Sequence, residues 1–253
     1  MKLDMTQLPQ LFAEAKIPPA IIAKLDTNPH LVPRVFEALA EIDFDTIEGN
    51  RAFAFLTVAD RSSSVRTYSD QLVAYYLGAI RKLQDVKTVG ILFAGCIAIS
   101  DLSEGGDVIM PLKPIRSIKT DQFDFDPDGI TPMYDTMVVA LVAMRVLVVL
   151  AKRSTIKLTA MTYLIGDGYD QGSTIFNASD TSLMINNLTN NGAAPHRVSA
   201  VGVGMSLRES FVEMGINPDA IRDDITAADL ELVLNEISGT VEALSTGANA
   251  GGF

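Results

Sequence analysis

The sequence predicts an α/β fold, a doubly wound and mostly parallel sheet with a helical extension at its N-terminal end. Strand-like and helix-like patterns alternate from residue 51 to residue 243, and such alternation implies a parallel sheet with helices on both faces. At residues 53–64 a strand-forming apolar run, Phe53-Ala54-Phe55-Leu56-Thr57-Val58-Ala59, ends abruptly in Asp60-Arg61-Ser62-Ser63-Ser64 before a helical pattern begins. A polar turn between strand and helix falls at the carboxyl edge of the sheet, where open α/β folds keep their ligand sites. Residues 1–50 read differently, as short helical pieces punctuated by Pro9, Pro18, Pro19, Pro29 and Pro33.

In the N-terminal arm, Leu8, Leu11, Phe12 and Ala15 share one face of a helix that stops at Pro18-Pro19. A second piece covers Ala20 to Leu25, and a third, Leu31 to Ile42, turns Val35, Leu39 and Ile42 inward. The arm is expected either to pack on the main domain or to dock a partner or a second subunit. Strands are expected at 53–59, 88–94, 156–165 and 198–203, with edge strands at 108–112 and 220–222. Helices are expected at 68–83, 132–151, 179–190 and 207–214. A closing helix starts at Thr226 and carries Leu230, Val233, Leu234 and Ile237 at helical spacing. The division is therefore a helical arm at 1–50, an α/β domain at 51–244, and a Gly- and Ala-rich flexible tail at 245–253.

Composition excludes several function classes. A formal charge of −11, with no clustered Lys and Arg, argues against nucleic-acid binding. Cys96 is the only cysteine and lies in an apolar run, so it reads as a small buried residue. The start Met1-Lys2-Leu3-Asp4 lacks the layout of a signal peptide, which leads to the expectation of a cytoplasmic protein. The longest apolar stretch, Met137 to Ala151, contains Arg145 and is shorter than the ~20 residues a bilayer requires. It is expected to be a buried helix, with no membrane as partner. Neither a Gly-x-Gly-x-x-Gly after the first strand nor a Gly-Lys-Ser/Thr phosphate loop is present, which removes two common nucleotide-binding readings.

Three polar turns bear on chemistry. Asp60, Ser62 and Ser64 alternate, so one tight turn aims one carboxylate and two hydroxyls at a single point. Gly129-Ile130-Thr131-Pro132 opens the apolar helix, with Thr131 expected as its cap and Pro132 as its first residue. Gly166-Asp167-Gly168 ends a central strand. Together they form an oxygen-rich set that suits a hard divalent cation.

The order Asp-x-Ser-x-Ser, then Thr-Pro at a helix start, then Asp-Gly after a later strand resembles the von Willebrand factor A domain family. The likeness runs from residue 51 to residue 243 and takes in the Gly202-Val203-Gly204 strand end. It implies a Rossmann-like fold with a metal-ion-dependent adhesion site holding Mg²⁺ or Mn²⁺, with Ca²⁺ less favoured. By that resemblance Ser62 and Ser64 ligate directly, Asp60 and Asp167 bind directly or through water, and Thr131 alternates between the two. The open position would be filled by an acidic side chain of a protein partner. Intracellular relatives act as adaptors in multiprotein assemblies, some with AAA+ ATPases of the chelatase type. Ser63 stands where many relatives have Gly; it and Arg61 are expected to point away from the metal, with a place for Arg61 at the rim, influencing which partner docks, as the alternative.

Other readings compete. Asp124, Asp126, Asp128 and Asp135 match part of an EF-hand loop, but Pro127 and Pro132 constrain it and Asp135 replaces the bidentate Glu. A metal-dependent hydrolase would use the same turns, with Asp170 near enough to add a carboxylate. Its general base has only His30 and His196 to draw on, and both are expected away from the turns. A self-assembling structural subunit, homo-oligomeric through the arm or tail, is the third alternative.

Overall fold

The computed structural model describes residues 5–47, 49–85, 90–100, 105–119, 127–190, 196–203 and 208–223, with four positions between 235 and 242. The arm contains α1 (Leu8–Glu14), α2 (Pro19–Thr27) and α3 (Val32–Leu39). There follow β1 (Arg51–Asp60), α4 (Ser69–Asp85), β2 (Ile91–Ile99), β3 (Asp107–Pro114) and α5 (Met133–Arg153). The chain continues through β4 (Lys157–Gly166), α6 (Ala178–Asn190), β5 (His196–Gly202), α7 (Arg208–Glu213) and β6 (Ile221–Arg222). The closing helix expected after Thr226 and the 245–253 tail lie outside the described residues, apart from single positions in the former.

The sheet runs β3-β2-β1-β4-β5-β6. All neighbours are parallel except β2 and β3, which pair antiparallel at one edge. From β1 the chain builds outward first to one side and then, from β4, to the other. The gap between the carboxyl ends of β1 and β4 is therefore the topological switch point, where such sheets place their sites.

Alternation along β1 sorts its side chains between two cores. Ala52, Ala54, Leu56 and Val58 face the core that contains α5. Phe53, Phe55 and Ala59 face the core that contains Leu72, Tyr76, Ile80 and Leu83 of α4. Helix α5 is apolar on every side because it is covered on every side. It packs on β1, β2 and β4 beneath and meets α1, α3 and α6 above, the pattern expected of a fully interior helix. By length and composition its 21 residues would suffice to cross a membrane, but the helix is buried inside the protein.

The arm supplies the outer layer of that sandwich. Leu11, Ile21, Leu25, Leu31 and Val35 are fully buried in the same core as α5. Polar ties fix the arm's placement: Arg145 Nε, in the middle of α5, donates to the Ala15 carbonyl at 2.6 Å. Arg153 makes a two-pronged contact with Glu14, and Lys24 pairs with Asp180. Of the two expectations for the arm, packing on the main domain is what the structure shows.

Of the element boundaries that differ from the sequence reading, two matter here. Strand β2 runs to Ile99 rather than stopping at Ala94. Gly95 sits inside the strand, where the Leu112 backbone passes close: a Cβ there would meet Leu112 N at 3.0 Å. The β2–β3 register shifts between Ala94 and Cys96, as a bulge does. The second difference is the start of α5, and it bears on the site.

Candidate metal centre

Asp60 is the last residue of β1 and is 1% exposed. Its Oδ1 accepts the Ser62 amide at 2.9 Å, a turn that folds the chain back on the carboxylate. Ser62, also buried, brings its Oγ within 2.8 Å of Ser64 Oγ. The alternation in the sequence thus becomes one cluster of a carboxylate and two hydroxyls, with Ser63 turned outward and exposed.

Three loops are laced into a single rim. The Ser63 amide donates to the Gly129 carbonyl at 3.0 Å, and the Asp128 amide to the Arg61 carbonyl at 2.9 Å, joining the β1 turn to the loop before α5. The Gln171 amide donates to the Thr131 carbonyl at 3.0 Å, joining that loop to the one after β4. Gly166 closes the circuit: a Cβ on it would stand 2.8 Å from Asp60 Cβ and 3.0 Å from Oδ2. The β4 end can approach Asp60 only because residue 166 has no side chain. Asp167 follows, buried, with its Oδ1 accepting the Tyr169 amide at 2.9 Å.

Thr131 is 2% exposed but does not cap α5. The helix begins at Met133 with Pro132 in the cap position and no local side chain bound there. Its first amides are satisfied from the other loop: Asp170 Oδ1 accepts from Met133 N at 2.8 Å and from Tyr134 N at 3.2 Å. Ser173 Oγ accepts from Asp135 N and itself donates to Asp170 at 2.6 Å. The expectation failed because capping residues are sought next to the helix, whereas this cap comes from about 40 residues downstream. The Thr131 hydroxyl is thereby released from the capping role.

The same geometry corrects two competing readings. Asp135 is directed at the backbone: it accepts amides from Thr174, Ile175 and Phe176, the last at 2.7 Å. A carboxylate so engaged is unsuited to closing an EF-hand; residues 120–126 lie outside the described residues. Asp170, considered as an added carboxylate for a hydrolase, is occupied as the cap of α5. Arg61 points away from the metal-site turn, as expected, and not to the rim. Its side chain is 13% exposed and is held by Ser100 Oγ at 3.3 Å and Asp107 at 3.2 Å, so it braces β2 and β3. The cation at the rim is Arg66, which reaches the Pro127 carbonyl and lies 3.7 Å from Asp128.

Electrostatically the centre is strained toward a cation. Burial pushes the Asp60 carboxyl up to about 6, the Ser62 contacts oppose this, and the Asp167 charge adds to the rise. Two buried carboxyl groups that repel one another, with the Ser62 hydroxyl on Asp60 and the Ser64 hydroxyl beside it, form a donor set of the chemistry that a hard divalent ion takes. By donor chemistry, carboxylates and hydroxyls suit a divalent cation. Clusters of three or more Asp, Glu, His or Cys are absent among the described residues, and a site built on hydroxyls does not need one.

The histidines stand apart from this centre. His196 opens β5 at the opposite edge of the sheet and shares a 3.0 Å hydrogen bond with Thr162 Oγ1; burial pushes its pKa down to about 3. His30 lies in the arm. Cys96 is buried in β2, and burial raises its thiol pKa beyond any reactive range.

This topology, with the three loops at the switch point, is the von Willebrand factor A fold. No family model matches the sequence, and neither does any curated protein. Solved structures match over most of the chain. A pilus adhesin from Lactobacillus rhamnosus GG, SpaC in its open conformation, superposes with a TM-score of 0.58 at 13% identity, covering 78% of this chain and 31% of that one. A von Willebrand factor type A protein from Catenulispora acidiphila gives 0.56 at 16%, covering 76% and 43%. Proximal thread matrix protein 1 from the mussel byssus, with a zinc-occupied MIDAS motif, gives 0.54 at 15%, covering 76% and 46%. This chain spans less than half the length of these proteins, and at such identities the likeness establishes the fold.

Proposed function

We propose that this chain is a non-catalytic binding module that grips an acidic side chain of a protein partner through a divalent ion held by Asp60, Ser62, Ser64, Thr131 and Asp167. The observation that carries the reading is the lacing of three loops around the buried Asp60 carboxylate at the switch point of the sheet. Mg²⁺ and Mn²⁺ are the ions favoured by an all-oxygen set of carboxylates and hydroxyls. When bound, the ion supplies an open coordination position that a carboxylate from outside completes. The protein's own task is to hold the five oxygen ligands in place, a role that the inter-loop amide bonds and the acceptor supplied by Asp170 to α5 support.

The zinc-occupied site in the mussel byssus protein supports metal binding by this fold, and the pilus adhesin supports a role in attachment. Following the family resemblance, we place the module in the cytoplasm as an adaptor or subunit of a multiprotein assembly, with an AAA+ ATPase as one candidate partner. The hydrolase alternative is disfavoured because Asp170 serves α5 and His196 sits at the far edge of the sheet. Self-assembly through the arm is disfavoured because the arm's apolar face is already covered by α5.

The test is a pull-down from cell extract with immobilised protein, in Mg²⁺ and in EDTA, with Asp60→Ala alongside. A partner retained only by wild type and only in Mg²⁺ supports the reading. A partner indifferent to chelator and to the substitution contradicts it.

A further inference from the structure

Among the described residues four large hydrophobic side chains are exposed, and two of them stand on the metal-site loops. Ile130, 46% exposed, immediately precedes Thr131, and Tyr169, 39% exposed, lies two residues beyond Asp167. The two loops are joined: Ile130 packs over Gly172, where any Cβ would meet its Cδ1 at 2.6 Å, and Gln171 donates to the Thr131 carbonyl. Ile130 and Tyr169 therefore stand on two joined loops of one rim.

Charge counting explains why an apolar rim matters here. A divalent ion bound by the Asp60 and Asp167 carboxylates is formally neutralised before any partner arrives. The rim cation Arg66 is offset by Asp128 at 3.7 Å, with both side chains well exposed. The whole chain carries −11. An acidic partner thus meets no long-range attraction, and its carboxylate is fixed by coordination geometry rather than drawn in by field. Apolar burial is an available source of additional affinity, and among the described residues Ile130 and Tyr169 are the large exposed apolar side chains on the metal-site loops.

We infer that Ile130 and Tyr169 are specificity-determining residues and that the partner presents an Asp or Glu with a large aliphatic or aromatic side chain within a residue or two of it. This rests on the metal-site reading above. The partner carboxylate completes the ion's shell while its neighbour covers Ile130 and the Tyr169 ring, excluding water from the coordination bond. A purely acidic segment, poly-Glu for example, would gain the coordination bond and lose the apolar cover.

The experiment selects disulfide-closed random peptides displayed on phage against the immobilised full chain in millimolar Mg²⁺ and elutes them with EDTA. Selected peptides are then titrated into wild type and into the Ile130→Ser/Tyr169→Ser double variant. Calorimetric Mg²⁺ titrations and thermal melts of both proteins check that the site and the fold are intact. The expected result is an acidic residue beside a large apolar one in the eluted sequences, and at least about tenfold weaker peptide binding by the double variant with unchanged Mg²⁺ affinity. Eluted peptides with acidic residues and no apolar preference, or equal binding by the double variant, overturn the inference and leave the metal site standing. Mg²⁺ binding with no chelator-eluted peptide also overturns it. Failure of the wild type to bind Mg²⁺ overturns the metal-site reading itself, and the inference with it.

Discussion

Replacing Asp60 by Asn should make the metal-free protein more stable, even though it destroys the site. In the folded chain the Asp60 carboxyl is pushed up to about 6 from 3.8, chiefly by burial and further by Asp167. A group whose folded pKa lies above its unfolded value contributes stability below the unfolded pKa and loses that contribution as pH rises through the folded one. Relative to acid conditions, the ionised carboxylate thus costs about 3 kcal/mol at pH 8, from about 2 units at about 1.4 kcal/mol each. Asn carries no charge and keeps an acceptor for the Ser62 amide. It also turns an NH₂ toward the Asp167 backbone amide, whose hydrogen bond the Asp60 carboxylate accepts, forfeiting about 1 kcal/mol of hydrogen bonding. The net expectation is a gain of about 1–2 kcal/mol at pH 8 in EDTA, shrinking toward zero or reversing near pH 4. Urea unfolding of both proteins across that range measures it. In Mg²⁺ at about 100 times the dissociation constant, wild type gains about 2.7 kcal/mol and the variant gains nothing, so the ranking reverses. A metal-free variant no more stable than wild type at pH 8, with the same pH profile, would refute the reasoning.

Other predictions follow from contacts already described. Gly166→Ala drives a Cβ into Asp60 and should lower Mg²⁺ affinity at least about tenfold with the fold retained, read by calorimetry and circular dichroism; unchanged affinity would mean that Asp60 is not held by the β4 end. Asp170→Ala removes the acceptor for two helix amides and should cost about 1–3 kcal/mol in urea unfolding; a cost near zero would remove its capping role. Leu11→Ala, fully buried between the arm and α5, should cost about 2–5 kcal/mol in one cooperative transition shared with the sheet, whereas an early, separate transition would show that the arm folds by itself. His196, with its pKa pushed down to about 3, contributes stability that is full above its unfolded value near 6.5 and lost as pH falls toward 3. His196→Gln should flatten that part of the profile, and an unaltered slope would show that the histidine is not buried in its neutral form.

The parts of the fold legible in the sequence were those with local signals. The strand feeding Asp60-Arg61-Ser62-Ser63-Ser64 and the strand ending in Gly166-Asp167-Gly168 carried their own boundaries, and both lie where a parallel sheet puts loops. The apolar segment around Arg145 was legible as buried, but what buries it was not, because helical periodicity vanishes when every face is covered and nothing marks the arm as the lid. The cap on α5 was invisible for a related reason: Asp170 and Met133 meet only after the sheet has formed. The run of β2 past Ala94 was not legible, because its pairing with β3 and the approach of the Leu112 backbone to Gly95 exist only in the folded sheet. That Arg61 braces Asp107 was not legible, because the chain positions of the two residues say nothing of their proximity.

The account depends on one ion being held by the five loop residues. Titrating Mn²⁺ into the metal-free chain, with free Mn²⁺ followed by electron paramagnetic resonance, tests this directly when repeated with Asp60→Ala and Thr131→Ala. One tightly held ion per chain in wild type, none in Asp60→Ala, and weakened binding in Thr131→Ala is the predicted outcome. Equal binding in all three proteins, or no binding by wild type even with an acidic peptide present to complete the shell, would contradict it.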